Sequence, residues 1–167
     1  DRFYTIYNGI DFTPPPTQGD RLEYLRNLGA DVDENSVVVG IAARMNPVKD
    51  MATLVRGFAA GHAKCPRLRL LIAGDGPELD INALTSLSET FPYALTEGAR
   101  FHLATVSTAV GGIPYLIDQD VNGYLFQPGD WQALGNDLAA LGNDDELRRR
   151  LGEKLYEKAS TQFSIQK

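Results

Sequence analysis

The chain has 167 residues, 43% hydrophobic and 23% charged, which is enough to bury one core and lies outside the range of disordered sequences. Its net charge of −6 argues against a general nucleic-acid binder or a basic membrane-surface protein. A single cysteine, Cys65, excludes an intrachain disulfide, and every apolar run is far shorter than the ~20 residues of a membrane span.

The first residues, Asp1 to Asp11, lack an initiator methionine and run at once into strand-like sequence, as the interior of a longer protein would. Past Pro14, Pro15 and Pro16, the spacing of Leu22, Leu25 and Leu28 predicts a short helix stopped by Gly29. The β-branched run Val37 to Ala42 reads as a strand covered on both faces. Met51, Leu54, Val55, Phe58 and Ala59 then fall at helical spacing behind Asp50, a suitable N-cap, and Leu68 to Ala73 reads as the next strand. Two more strands are predicted at Asp80 to Thr85 and Ala104 to Ala109, separated by a helix that starts at Pro92 and carries Glu97. The alternation implies an α/β fold, a Rossmann-like parallel sheet flanked by helices.

The last third carries turn signals at Asn122-Gly123 and Pro128-Gly129 around a short strand, Tyr124 to Phe126. Asp130 caps a helix bearing Leu134, Leu138 and Leu141. Asn143 is expected to cap a final helix with Glu146 as its capping-box partner and Leu147, Leu151 and Leu155 as its apolar stripe. Arg148, Arg149 and Arg150 point in different directions on that helix and read as a solvated face.

Two stretches carry chemistry. Arg44 and Lys49 sit in the loop where the first β-branched strand hands over to its helix, and open parallel sheets bind ligands beyond the carboxyl ends of their strands. An arginine forks two phosphate oxygens and a lysine adds a mobile point charge, so the pair could neutralise a diphosphate; alone, it reads equally well as two surface cations. Glu89 and Glu97 bracket the predicted helix start at Pro92, whose neighbouring free amides would face an anion. A carboxylate is an acceptor-only group suited to sugar hydroxyls, although exposed glutamates are common on helices.

The order of the motifs adds to this. Tyr-Asn-Gly-Ile-Asp (Tyr7 to Asp11), the Arg44 to Lys49 loop, Gly-Asp-Gly-Pro-Glu (Gly74 to Glu78), the Glu89 to Glu97 segment, Gly-Gly-Ile-Pro (Gly111 to Pro114) and the Asn122 to Asp130 stretch follow one another along nearly the whole chain. Together they resemble the C-terminal, donor-binding domain of the retaining GT-B glycosyltransferases of family 4. The resemblance implies one half of a GT-B fold and transfer of a sugar from a nucleotide-diphosphate sugar to an acceptor glycan, lipid or small molecule. It implies no metal and no cofactor beyond the donor substrate, and a role in polysaccharide or glycoconjugate biosynthesis. Carried onto this chain, it places Arg44 and Lys49 on the donor diphosphate and Glu89 against the transferred sugar. Phe91, Pro92, Leu95 and Glu97 fall on the donor-binding side, Glu97 on the ribose; Gly111 and Gly112 match a glycine loop better suited to a tight turn than to direct contact.

Two departures qualify the resemblance. In the family, a helix, a strand and a further helix separate the Gly-Asp-Gly-Pro-Glu turn from the segment matching Asp80 to Thr85, whereas here only Leu79 intervenes. A parallel crossover needs at least ~10 to 12 residues, so a segment is expected to be missing near residues 78–80. The N-terminal acceptor domain is also absent, so residues 1–167 read as the C-terminal nucleotide-sugar-binding domain, with no turnover expected of it alone. A cytosolic location is expected, with at most peripheral contact with the inner face of a membrane through the absent domain. Nucleotide-sugar 2-epimerases, inverting transferases and a non-catalytic Rossmann-like binding module remain open. His62 and His102 have no ligand-spaced partners, so neither is assigned a metal, and Gly74-Asp75-Gly76 lacks the third glycine of a dinucleotide fingerprint.

Overall fold

The computed structural model describes residues 20–27, 29–41, 47–72, 80–90 and 93–164. The first helix, α1 (Arg21–Asn27), ends where Gly29 takes a left-handed φ of 85°, with Gly29 N donating to Arg26 O and Ala30 N to Leu25 O. Strand β1 (Val37–Ile41) is buried at every position, as its continuous apolar run requires. Val37, Val39 and Ile41 join the main core, while Val38 turns to the opposite face and meets Leu25 and Val32.

Helix α2 (Met51–Lys64) begins at Asp50, whose carboxylate accepts from Thr53 N at 3.2 Å and from Thr53 Oγ1 at 2.6 Å. Then come β2 (Leu68–Ile72), β3 (Ile81–Leu84), α3 (Tyr93–Arg100), β4 (Ala104–Thr108), α4 (Ile113–Leu116), β5 (Tyr124–Phe126), α5 (Trp131–Asn143) and α6 (Asp145–Gln162). Among the described residues the strands form a five-stranded parallel sheet in the order β2-β1-β3-β4-β5. Helix α2 packs on α5, and α6 packs on α3 and β4.

The strand order reverses at β1. From there the chain moves outward to β2 on one side and later to β3 on the other, so a topological switch point lies between the carboxyl ends of β1 and β3. Only residues 73–80 join β2 to β3, which flank β1 and run parallel to it. Outermost among the described strands, β2 is only partly covered, and Ile72 at its end is 38% exposed. The Asp80 carboxylate accepts from Val38 N at 2.7 Å and from the Arg21 guanidinium, tying the entry of β3 to α1.

Three expectations need correction. Asn143 belongs to the last turn of α5, where its Nδ2 donates to Ala139 O, and the cap of α6 is Asp144, which accepts from Leu147 N at 2.8 Å. Two adjacent side chains could have served as the cap, and the extra turn of α5 consumed the first. Arg148 is not solvated: it donates to Leu141 O across the α5–α6 corner and to Asp145. The Gly-Gly-Ile-Pro stretch, Gly111 to Pro114, matched to a glycine loop, runs into the short α4, with Pro114 in its first turn.

Candidate functional site

The carboxyl ends of β1, β3 and β4 are laced together by hydroxyl groups. Among the described residues between β1 and α2, Pro47–Lys49 forms a 3-10 turn, and Asp50 starts α2 from a left-handed φ of 44°. The loop after β3 lies against that turn: Leu87 N donates to Val48 O at 2.7 Å, and the fully buried Thr85 donates through Oγ1 to Lys49 O at 2.7 Å. From the next strand, Thr108 Oγ1 donates to Ser86 O at 2.6 Å. Three strand ends are thereby held in one register by short side chains, each with few rotamers to lose.

On this frame stand the charged groups. Lys49 Nζ donates to Glu89 Oε1, joining the loops after β1 and β3 across the switch point. Both side chains are mostly buried, at 21% and 14% exposure. Ser86 Oγ donates to the same Oε1 at 2.7 Å, so the carboxylate has one charged and one neutral donor on one oxygen. Gly111, after β4, presses on the Glu89 backbone: its φ is 53°, and a Cβ there would lie 1.5 Å from Glu89 O. The tight turn expected of this glycine is present, and so is a close backbone approach that only glycine allows.

Helix α3 follows the same loop and is clamped to β3. Asn82 Nδ2 donates to Ala94 O at 2.9 Å, and a Cβ on Gly98 would meet that Nδ2 at 2.3 Å. Leu95 is fully buried in the core, so its side chain is not available to a ligand and only its backbone could serve one. Glu97 is half-buried on the same helix. Helix α3 begins at Tyr93, four residues after Glu89, and the amino end of a helix carries the positive end of its dipole.

The structure thus joins Lys49 and Glu89 directly and sets Leu95 and Glu97 on the helix that follows; Arg44, Phe91 and Pro92 lie outside the described residues. The sequence reading missed Thr85, Ser86 and Thr108. Only Ser86 left a local signal, a hydroxyl three residues before a carboxylate; the partners of Thr85 and Thr108 belong to other strand ends. His62 faces Leu68 O and Phe58, and His102 stacks on Tyr156 at 4.1 Å, so each ring serves packing.

Residues 78–158 match the family model described as Glycosyl transferases group 1. The N-acetyl-alpha-D-glucosaminyl L-malate synthase of Bacillus anthracis is 25% identical over 200 aligned positions, which cover 98% of this chain and 50% of that protein. The alignment is longer than the chain's 167 residues, so that relative has residues with no counterpart here. The structure of Anabaena Alr3699/HepE in complex with UDP-glucose superposes with a TM-score of 0.78 at 22% identity, over 95% of this chain and 53% of that one. The C-terminal domain of a group 1 family glycosyl transferase (LpcC) from Francisella tularensis superposes with a TM-score of 0.80 at 20% identity, over 95% of this chain and 100% of that one. The chain spans about half the length of the curated relatives it matches over most of its own length.

Proposed function

We propose that the chain is a C-terminal GT-B domain of the group 1 glycosyltransferases and that it forms the donor side of an enzyme that moves a sugar from a nucleotide-diphosphate sugar to an acceptor hydroxyl. The observation that carries this reading is the Lys49–Glu89 pair at the switch point between β1 and β3, beside the amino end of α3.

In this reading Lys49, with Arg44 from the same loop, receives the diphosphate, and the α3 amides add their partial positive charge. Glu97 takes the ribose hydroxyls and Glu89 those of the transferred sugar. The bond between the anomeric carbon and the diphosphate oxygen breaks while the acceptor oxygen forms a new one on the same face, so configuration is retained. The acceptor's proton passes to the departing phosphate oxygen, and the growing negative charge is stabilised by the cations and amides, without a metal ion. Glu89 positions the sugar and is not the nucleophile.

Two parts of the working protein lie outside this chain in the same proposal. One is an acceptor-binding domain. Val48, Leu87, Tyr93 and Tyr115, all from segments that follow strand carboxyl ends, expose large apolar side chains that such a domain would cover. The other is a segment between β2 and β3, where residues 73–80 are too few for an ordinary parallel crossover and where β2 has no outer neighbour among the described residues. Among the described residues no helix is long and apolar enough to cross a membrane, and the proposed setting is polysaccharide or glycoconjugate assembly on the cytosolic side.

A thermal-shift panel with UDP, GDP and ADP tests the reading. A ligand held at 100 times its Kd adds about 2.7 kcal/mol to the folded state, a readily measured rise in Tm. One nucleotide is expected to stand out. No response to any of the three, with the β2–β3 segment restored, would remove the donor-site assignment. Product configuration from the full-length enzyme then separates a retaining transferase from an inverting one or an epimerase.

A further inference from the structure

The oxygen of Glu89 that accepts from Lys49 also accepts from Ser86, and the two donors differ in kind. Lys49 ends in a mobile ammonium on a long stem, a point charge that an incoming diphosphate attracts strongly. Ser86 is fully buried, short and neutral, and Thr108 Oγ1 fixes its carbonyl at 2.6 Å. A diphosphate therefore competes for the first donor and has no hold on the second.

We infer that Ser86 is the positioning residue that keeps the Glu89 carboxylate aimed at the sugar once the donor diphosphate has drawn Lys49 away from it. The inference rests on the donor-site reading above. Without Ser86, the carboxylate would lose its charged partner on donor binding and have no hydroxyl on Oε1 to hold it, although Gly111 would still fix the backbone beneath it. Ser86 acts through Glu89 and touches no substrate itself.

The test is a binding cycle on this domain with the β2–β3 segment restored, using wild type, Ser86→Ala, Glu89→Ala and the double variant, each titrated with UDP, GDP and ADP and with the glucose conjugate of each. Ser86→Ala is expected to leave the affinity for the free nucleoside diphosphate within about two-fold and to weaken the conjugate by about ten-fold, the scale of one hydrogen bond to a charged group. In the Glu89→Ala background the serine change should add less than about two-fold, because it acts only through the carboxylate. A merely structural serine would weaken both ligands alike and add its full effect in either background, and that result overturns the inference. So does an unchanged Ser86→Ala, or a wild type that gains nothing from the sugar. A wild type that binds no nucleotide overturns the donor-site reading as well, which tells the two failures apart.

Discussion

Two regions of the molecule are built on glycines that leave no room for a Cβ, and they use that closeness differently. In the helical layer, a Cβ on Gly57 would lie 2.5 Å from the Leu134 side chain, one on Gly135 would lie 2.7 Å from Ala60, and one on Gly152 would lie 1.9 Å from His102 O. Close approach there brings apolar surface together and contributes stability. At the carboxyl edge of the sheet, Gly111 approaches the Glu89 carbonyl while Thr85, Ser86 and Thr108 hold backbone and carboxylate by hydrogen bonds. Such bonds add little net stability each but fix where a charged group stands. The helical layer should therefore answer to mutation in Tm, and the edge in ligand affinity and turnover.

The sharpest expected contrast comes from the edge. In the full-length protein Lys49→Ala should lower kcat/KM by about 100-fold or more if, as proposed, its charge stabilises the leaving diphosphate. Its effect on stability should be smaller, about 1 to 3 kcal/mol, because the pair is mostly buried but Ser86 still donates to the Glu89 carboxylate left behind. Glu97→Ala should likewise reduce transfer sharply. Unchanged kcat/KM in either variant would detach that residue from the site.

Gly111→Ala should break the division by failing on both sides. The left-handed φ costs a Cβ-bearing residue about 1 to 2 kcal/mol, and the Glu89 carbonyl must also move away. Tm and nucleotide-sugar affinity are expected to fall together. A loss of Tm with full affinity would mean that the Glu89 segment tolerates displacement, and Glu89 would lose its role as a fixed group.

Gly152→Ala is the matched change in the helical layer. The new methyl would press on His102 O, costing about 1 to 3 kcal/mol of overpacking against roughly 1 kcal/mol gained in helix propensity. A net loss of up to about 2 kcal/mol in chemical denaturation is expected, with nucleotide affinity unchanged. Loss of affinity would show that α6 and the edge are coupled.

The division also explains what the sequence made legible. Elements with local signals were readable: the β-branched run of β1, the Asp50 and Asp130 caps, and the glycine stop after α1. Where two adjacent residues offered the same chemistry, as Asn143 and Asp144 do, tertiary packing chose between them and local pattern could not. The four residues of α4 are too few to show a period. At the candidate site, residue type marked Lys49 and Glu89 as charges worth weighing, yet their contact spans 40 positions and depends on β1 and β3 being neighbours. The hydroxyls that fix them were less visible still, because serine and threonine are common and their partner carbonyls lie on other strands.

The smallest effect concerns a charge away from the Glu89 loop. Asp137 on α5 has its carboxyl pushed up to about 6, first by burial and then by the negative charges of Asp120 and Asp130. An acid raised in this way holds a proton in the folded state that the unfolded chain has already released above its ordinary value of 3.8. The folded form thus binds more protons between those two values, so this group's contribution makes stability fall as pH rises from about 4 to about 6 and adds no further change above that. Asp137→Asn resembles the protonated form at every pH. It should match wild type near pH 4 and exceed it by roughly 1 kcal/mol at pH 8, a gain kept modest by the carboxyl's remaining contact with water. Equal stability at pH 8 would mean that water or a local shift relieves the buried charge. Because α5 belongs to the helical layer, nucleotide affinity should not move, and a change in it would place the acidic group within reach of the donor diphosphate, where removing a negative charge would tighten binding.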